Sequence, residues 1–260
     1  FVLAKKTLLV LTVASTIGNA FAQNVSSGVV SNGVVSSGET QVVYSNGQTS
    51  NATVNSGGIQ NVNNGGKTTS TKVNSSGAQN VGNSGTAIST IVSSGGIQRV
   101  NSGGTATGTK LSGGNQNIYS GGKASATEVY AGGTQTVYLS GTASSTKLSG
   151  GTQNISSGGK ASATEVYSGG KQNIYAEGHS ENAIINNGGN QYIYSNGEAT
   201  GATVNTSGFQ RVSAGGIATG TKLSGGNQNI SSGGSAIAAE VYSGGKQTVY
   251  AGGVASGTQI

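Results

Sequence analysis

The chain has 260 residues, a formal net charge of +6, and no Cys, Pro, Met or Trp. Without Cys there is no disulfide framework, and 13 Lys and Arg scattered along the chain make no nucleic-acid footprint. With 48 Gly, 33% hydrophobic and 8% charged residues, composition alone would permit disorder, but the apolar residues recur at fixed spacings that disordered tracts lack.

In chain order, Lys5 and Lys6 precede an apolar run over 7–18, and Ala20-Phe21-Ala22 follows. A charged segment, an apolar segment and an A-x-A site describe a signal peptide, residues 1–22, cut after Ala22. The apolar run is short for a membrane span. Residues 23–40 repeat loosely and read as a degenerate capping coil. Residues 41–260 repeat regularly, with no linker and no second domain. The chain stops at Thr258-Gln259-Ile260, in the middle of a coil, and so reads as truncated.

The repeat unit is clearest from Thr90 to Gly108, T-I-V-S-S-G-G-I-Q-R-V-N-S-G-G-T-A-T-G. Its glutamine returns as Gln41, Gln60, Gln79, Gln98, Gln116, Gln135, Gln153, Gln172, Gln191, Gln210, Gln228 and Gln247, in steps of 19 or 18. Internal periodicity of this kind outranks other clues to fold. The shorter steps fall where V-x-x-G-G becomes L-S-G-G, at Leu111, Leu148 and Leu223.

Within a coil, T-x-V, Q-x-V and a small residue after the second glycine pair alternate with period two. Glycine marks the bends between them. Nothing has helical spacing. The sequence therefore predicts an all-β, right-handed parallel β-helix of about 12 coils, with 18–19 residues and three short strands per coil. One inward column runs from Val54 through Leu111 to Val241. A second runs from Val43 through Ile118 to Val249, and a third from Ala87 to Ala255. Alternation also turns each Gln inward, where stacked amides can bond from coil to coil.

Outward, Lys110, Glu128, Lys147 and Glu165, and later Lys222 and Glu240, place opposite charges one coil apart. Each pair is worth at most about 1 kcal/mol, so its expected role is register. Most tyrosines fall in two outward columns. Tyr119, Tyr138, Tyr175 and Tyr194 are candidates for an aromatic strip that meets a sugar or another rod.

Chemistry is sparse. There is one His, His179, no Asp and no Cys, which makes neither a catalytic triad nor a metal cluster. The glutamates are isolated, so no paired-carboxylate site is visible. No enzyme and no cofactor are expected.

Each S-G-G opens a turn, which places its serine on a corner. Ser56, Ser94, Ser112, Ser149, Ser168, Ser224 and Ser243 are assigned to the first corner. Ser102, Ser120, Ser157, Ser195 and Ser232 are assigned to the second.

V-N-S-G-G-I-Q-N-V-N-N-G-G-K-T from Val54 and V-S-S-G-G-I-Q-R-V-N-S-G-G-T-A from Val92 resemble the repeat of self-associating autotransporter adhesins of the diffuse-adherence (AIDA) and TibA type. The resemblance covers residues 23–260. It implies a passenger exported through the periplasm to the outer-membrane surface of a Gram-negative bacterium, or released. It also implies host-cell adhesion, autoaggregation with copies on neighbouring cells, and biofilm formation. A bacterial heptosyltransferase is the implied partner that places O-linked heptose on repeat serines, and the corner serines are the candidates. Such proteins carry a C-terminal outer-membrane barrel, which this sequence does not contain. A structural surface fibre of functional-amyloid type, with no dedicated receptor, is the competing expectation.

Overall fold

The computed structural model describes residues 22–260; the expected signal peptide, apart from Ala22, lies outside the described residues. The described residues form 36 strands and no helix. Every strand pair is parallel and joins one coil to the next, with the repeat in register: Gln98 lies between Gln79 and Gln116, and Val92 between Val73 and Leu111. The T-x-V strands form a 12-stranded sheet. The Q-x-V and x-A-x strands form two further stacks, which the long strands Ala22–Ser31 and Thr40–Ser50 join into one 24-stranded sheet. The architecture is thus a parallel β-solenoid of three short strands per coil.

The core follows the alternation. Val54, Leu111 and Ile185 in one column, and Val43, Ile118 and Ile193 in another, are fully buried. The alanine column packs with the second of these. Thr49, Thr68 and Ser180 fill its place in coils that lack the alanine. Stacking covers each inward residue from both sides, so the expectation fails only in the last coil. There Val249 is 45% exposed and Ala255 is exposed. Thr136, which alternation turns outward, is nevertheless buried.

The glutamines bond through the whole stack. Each Nε2 donates to the Oε1 one coil earlier, from Gln41 to Gln23 at 3.1 Å up to Gln247 to Gln228 at 2.8 Å. In most coils the same Oε1 also accepts a hydroxyl from its own coil, as from Thr90 to Gln79 and from Thr146 to Gln135, both at 3.0 Å. In the coil of Gln172 the threonine place holds Ala183, and Ser180 in the alanine column donates instead at 3.1 Å. Among the described residues no buried side-chain polar atom lacks a partner.

Two of the corners are β-turns closed by hydrogen bonds such as Gly58 N to Asn55 O at 2.9 Å and Gly122 N to Tyr119 O at 2.8 Å. The two glycines of each pair do different work. Gly103 adopts φ +72°, a region that short polar residues also tolerate. Ser84 and Asn196 stand in its place in other coils, and Ser76 in the matching place of the first corner, all at positive φ. Gly104 sits against the previous coil: a Cβ there would lie 2.2 Å from the Val81 carbonyl oxygen. That second position remains glycine in coil after coil, because backbone cannot yield as a dihedral can.

The third corner has no glycine pair and went unassigned in the sequence. A single residue in the left-handed region makes it, including Ser70, Ser89, Gly108, Ala126 and Asn182. Ser70 is therefore a corner residue, whereas Ser125 ends a strand.

Candidate functional site

With the interior filled and satisfied, the chemistry lies on outward columns. Ser56, Ser94, Ser168 and Ser243 occupy the first corner, and Ser102, Ser120, Ser157, Ser195 and Ser232 the second. All are exposed and lie in two-residue turns. Over several of them, including Ser168 and Ser195, the next coil leaves room for the oxygen by presenting glycine. A methyl group on Gly188 would come within 2.9 Å of Ser168 Oγ, and one on Gly215 within 2.7 Å of Ser195 Oγ.

Ser112, Ser149 and Ser224 are not corner residues, contrary to the sequence assignment. They end the strands Lys110–Ser112, Lys147–Ser149 and Lys222–Ser224, and Ser112 aligns with Ser93 rather than with the corner residue Ser94. The residue lost in the short coils is the corner residue itself, and Gly113 bridges back to Ser93.

The charged column has the expected register, with Glu128 between Lys110 and Lys147. Among the described residues, only Lys110–Glu128 of this column closes into an ion pair, at 3.3 Å. The glutamates find a different partner on their own strand. Tyr130 Oη donates to Glu128, Tyr167 to Glu165 and Tyr242 to Glu240. Residues two apart on a strand share a face, so E-V-Y was a readable signal that the charge pattern obscured. The Tyr130 hydroxyl holds the Glu128 carboxyl below its ordinary pKa against partial desolvation, and Lys110 and Lys147 add to it. The same bond raises the Tyr130 phenol, and Glu165 likewise raises Tyr167.

The four candidate tyrosines form two stacked pairs rather than one strip. Ring centroids are 5.5 Å apart for Tyr119–Tyr138 and 4.9 Å for Tyr175–Tyr194. In the coil between these pairs Ser156 takes the place of the ring. The second pair is extended by two aromatics that were not singled out in the sequence. Tyr192 lies 6.4 Å from Tyr194, and Phe209 meets Tyr192 edge-on at 6.4 Å. Burial raises the Tyr194 phenol above its ordinary pKa. His179 contacts Glu198 at 3.1 Å, and among the described residues no three His, Cys, Asp or Glu side chains gather as a metal site.

Comparison with known proteins agrees with this geometry. The family described as "Adhesin of bacterial autotransporter system, probable stalk" matches residues 175–227. Over 45 residues the chain is 76% identical to the autotransporter adhesin AIDA-I of Escherichia coli, a stretch covering 17% of this chain and 4% of that protein. The crystal structure of a TibC-catalysed, hyper-glycosylated TibA fragment superposes with a TM-score of 0.90 at 40% identity, covering 92% of this chain and 88% of the fragment. The chain therefore belongs to the autotransporter adhesin passengers of the AIDA and TibA type.

Proposed function

We propose that the chain is the adhesive, sugar-bearing passenger of a surface-displayed autotransporter. It would attach bacteria to host cells and to one another, and so support autoaggregation and biofilm growth. The observation that carries this reading is the alignment of exposed corner serines on a scaffold that matches the hyper-glycosylated TibA fragment. A sugar on such a serine projects away from the core and leaves packing undisturbed. Set along the rod at multiples of roughly 4.8 Å, such sugars make weak contacts that sum by avidity. A heptosyltransferase of the TibC kind is the proposed partner, and a C-terminal barrel the proposed anchor.

Coexpression with such a transferase, followed by mass spectrometric mapping, tests the assignment. Modification is expected at Ser94, Ser102, Ser120, Ser168 and Ser195. Sugar confined to strand serines such as Ser125, or none at all, would refute it. The strand-end residues Ser112, Ser149 and Ser224 form an internal comparison, because their coils lack the turn residue that carries the hydroxyl elsewhere.

A further inference from the structure

The outward face of the Q-x-V strands differs from the rest of the surface in charge. The strand positions flanking its inward glutamines hold Arg99, Lys171, Arg211 and Lys246, four cations, and no acid. The Glu residues of the T-x-V and x-A-x strands, such as Glu128 and Glu198, lie on the other two faces. On this cationic face the repeat is also broken by rings. Among the described residues, no other Q-x-V strand carries an aromatic ring at the two positions flanking its glutamine, whereas this region carries Tyr192 and Phe209, and Tyr192 pairs in register with Arg211. A shallow cavity of about 480 Å³ opens between Phe209, Arg211, Asn229, Ser231 and Tyr250.

Arg211 is the centre of this cavity's chemistry. Its Nε reaches Ser231 Oγ at 3.4 Å, and among the described residues no carboxylate stands within ion-pair distance of it. A guanidinium with no carboxylate partner has donors left for a planar anion, and Arg meets a carboxylate with two parallel bonds. Phe209 and Tyr250 supply flat apolar faces on the same cavity, and Asn229 supplies an amide held at 3.4 Å from the Tyr250 hydroxyl. A ring face suits the C–H face of a pyranose, while amide and hydroxyl groups suit its hydroxyls.

We infer that this cavity binds a carboxylated pyranose, with the sugar carboxylate on Arg211 and the sugar ring against Phe209 or Tyr250. The inference rests on the adhesin reading for its biological setting and deepens it by naming a ligand class. Two sources share this chemistry: a terminal sialic acid on a glycan, and a uronic acid within a polysaccharide. The neutral surroundings of Asn229 and Ser231 fit either. Arg99 serves as a control, since it lies on the same face but has Ile97 where the cavity has Phe209, and it donates instead to Asn80 at 3.4 Å.

The test is saturation-transfer NMR and titration on the 260-residue chain with 3′-sialyllactose, a glucuronic-acid tetrasaccharide and lactose. At least one acidic sugar should bind about tenfold more tightly than lactose. Arg211→Gln and Phe209→Ala should each remove most of that preference, while Arg99→Gln leaves it intact. Which acid binds distinguishes the two sources. Equal binding of lactose, absence of binding by both acids, or an Arg211→Gln chain that binds like the parent would overturn the pocket. Host-cell adhesion is scored separately. Adhesion unchanged by Arg211→Gln, with no acidic-sugar binding, would keep the adhesin reading and sink this site. Sugar binding without adhesion would do the reverse.

Discussion

Two polar columns climb this solenoid in the same register, one inside and one outside. Inside, amide follows amide from Gln23 to Gln247, with donor–acceptor distances between 2.6 and 3.1 Å. Outside, Lys110, Glu128, Lys147 and Glu165 also face each other across successive coils, yet only the first of these pairs closes. Spacing is common to both columns, so spacing does not decide the outcome. Water does. A buried amide has no water to turn to, and leaving it unpaired costs about 1–3 kcal/mol. An exposed lysine gives up little by remaining solvated. The inner ladder is enforced by desolvation; the outer column is a preference laid over a register set elsewhere.

The largest effect should come from breaking the inner ladder. Gln135→Leu removes the donor to Gln116, the acceptor of Gln153 and the acceptor of Thr146. Gln116 keeps its bond from Thr127, so the loss is expected to be about 3 kcal/mol. Since a solenoid can open coil by coil, amide hydrogen exchange at residues 115–155 is the sharper readout, alongside chemical denaturation. Protection unchanged around these coils would show that the ladder is incidental to stability.

A smaller effect is expected from the hydroxyl that joins the ladder. Ser180→Ala removes the bond to Gln172, but the coil of Gln191 already carries alanine at both hydroxyl positions, Ala199 and Ala202. The cost should be about 1 kcal/mol or less. Adding Ala183→Thr should restore it, because threonine holds that place in most coils. Failure of the second substitution to rescue the first would mean that the Ser180 and Ala183 exchange is not a compensating pair.

How much of this was legible follows the same division. Period two fixed which side chains turn inward, so the columns of Val54, Val43 and Ala87 and the inward glutamines could be read directly. Alternation says nothing about neighbours across the lumen, and the Thr-to-Gln bonds, eleven residues apart, were therefore missed. Glycine pairs announced two corners. The third is made by one left-handed residue that Ser89, Ala126 or Asn182 can supply, and so has no compositional marker. Ser112 was misplaced because S-G-G looks alike in long and short coils, and only strand register shows which residue is missing. Tyr192 and Phe209 were legible as outward positions. Phe209 shares a strand face with Arg211 two residues on, whereas the meeting of Tyr192 with Arg211 rests on the pairing of adjoining coils.

On the outer column, Glu128→Lys would put lysine at 110, 128 and 147 on consecutive coils. A loss below about 1 kcal/mol is expected, reduced further by salt. A salt-insensitive loss as large as that of Gln135→Leu would erase the distinction between the two columns.

The smallest effect concerns a proton rather than a fold. The Tyr130 hydroxyl is the leading cause of the lowered Glu128 pKa, ahead of Lys110 and Lys147. For a carboxyl whose folded pKa is lowered, the linked stability is present above the unfolded pKa and is lost as pH falls through the folded value. For Tyr130, whose folded pKa is raised, it is present below the unfolded value near 10 and is lost as pH rises through the folded one. The pair is exposed, so both contributions are small. Tyr130→Phe should move the Glu128 carboxyl back up toward its ordinary pKa, as measured by carboxyl-carbon NMR titration, with no measurable change in melting. Glu165 is the comparison to run beside it, since Tyr167 makes the same bond while no ion pair closes between Glu165 and Lys147 among the described residues. If removing Tyr130 leaves Glu128 titrating as before, the lysines set its charge, and the outer column is a true ion-pair ladder after all.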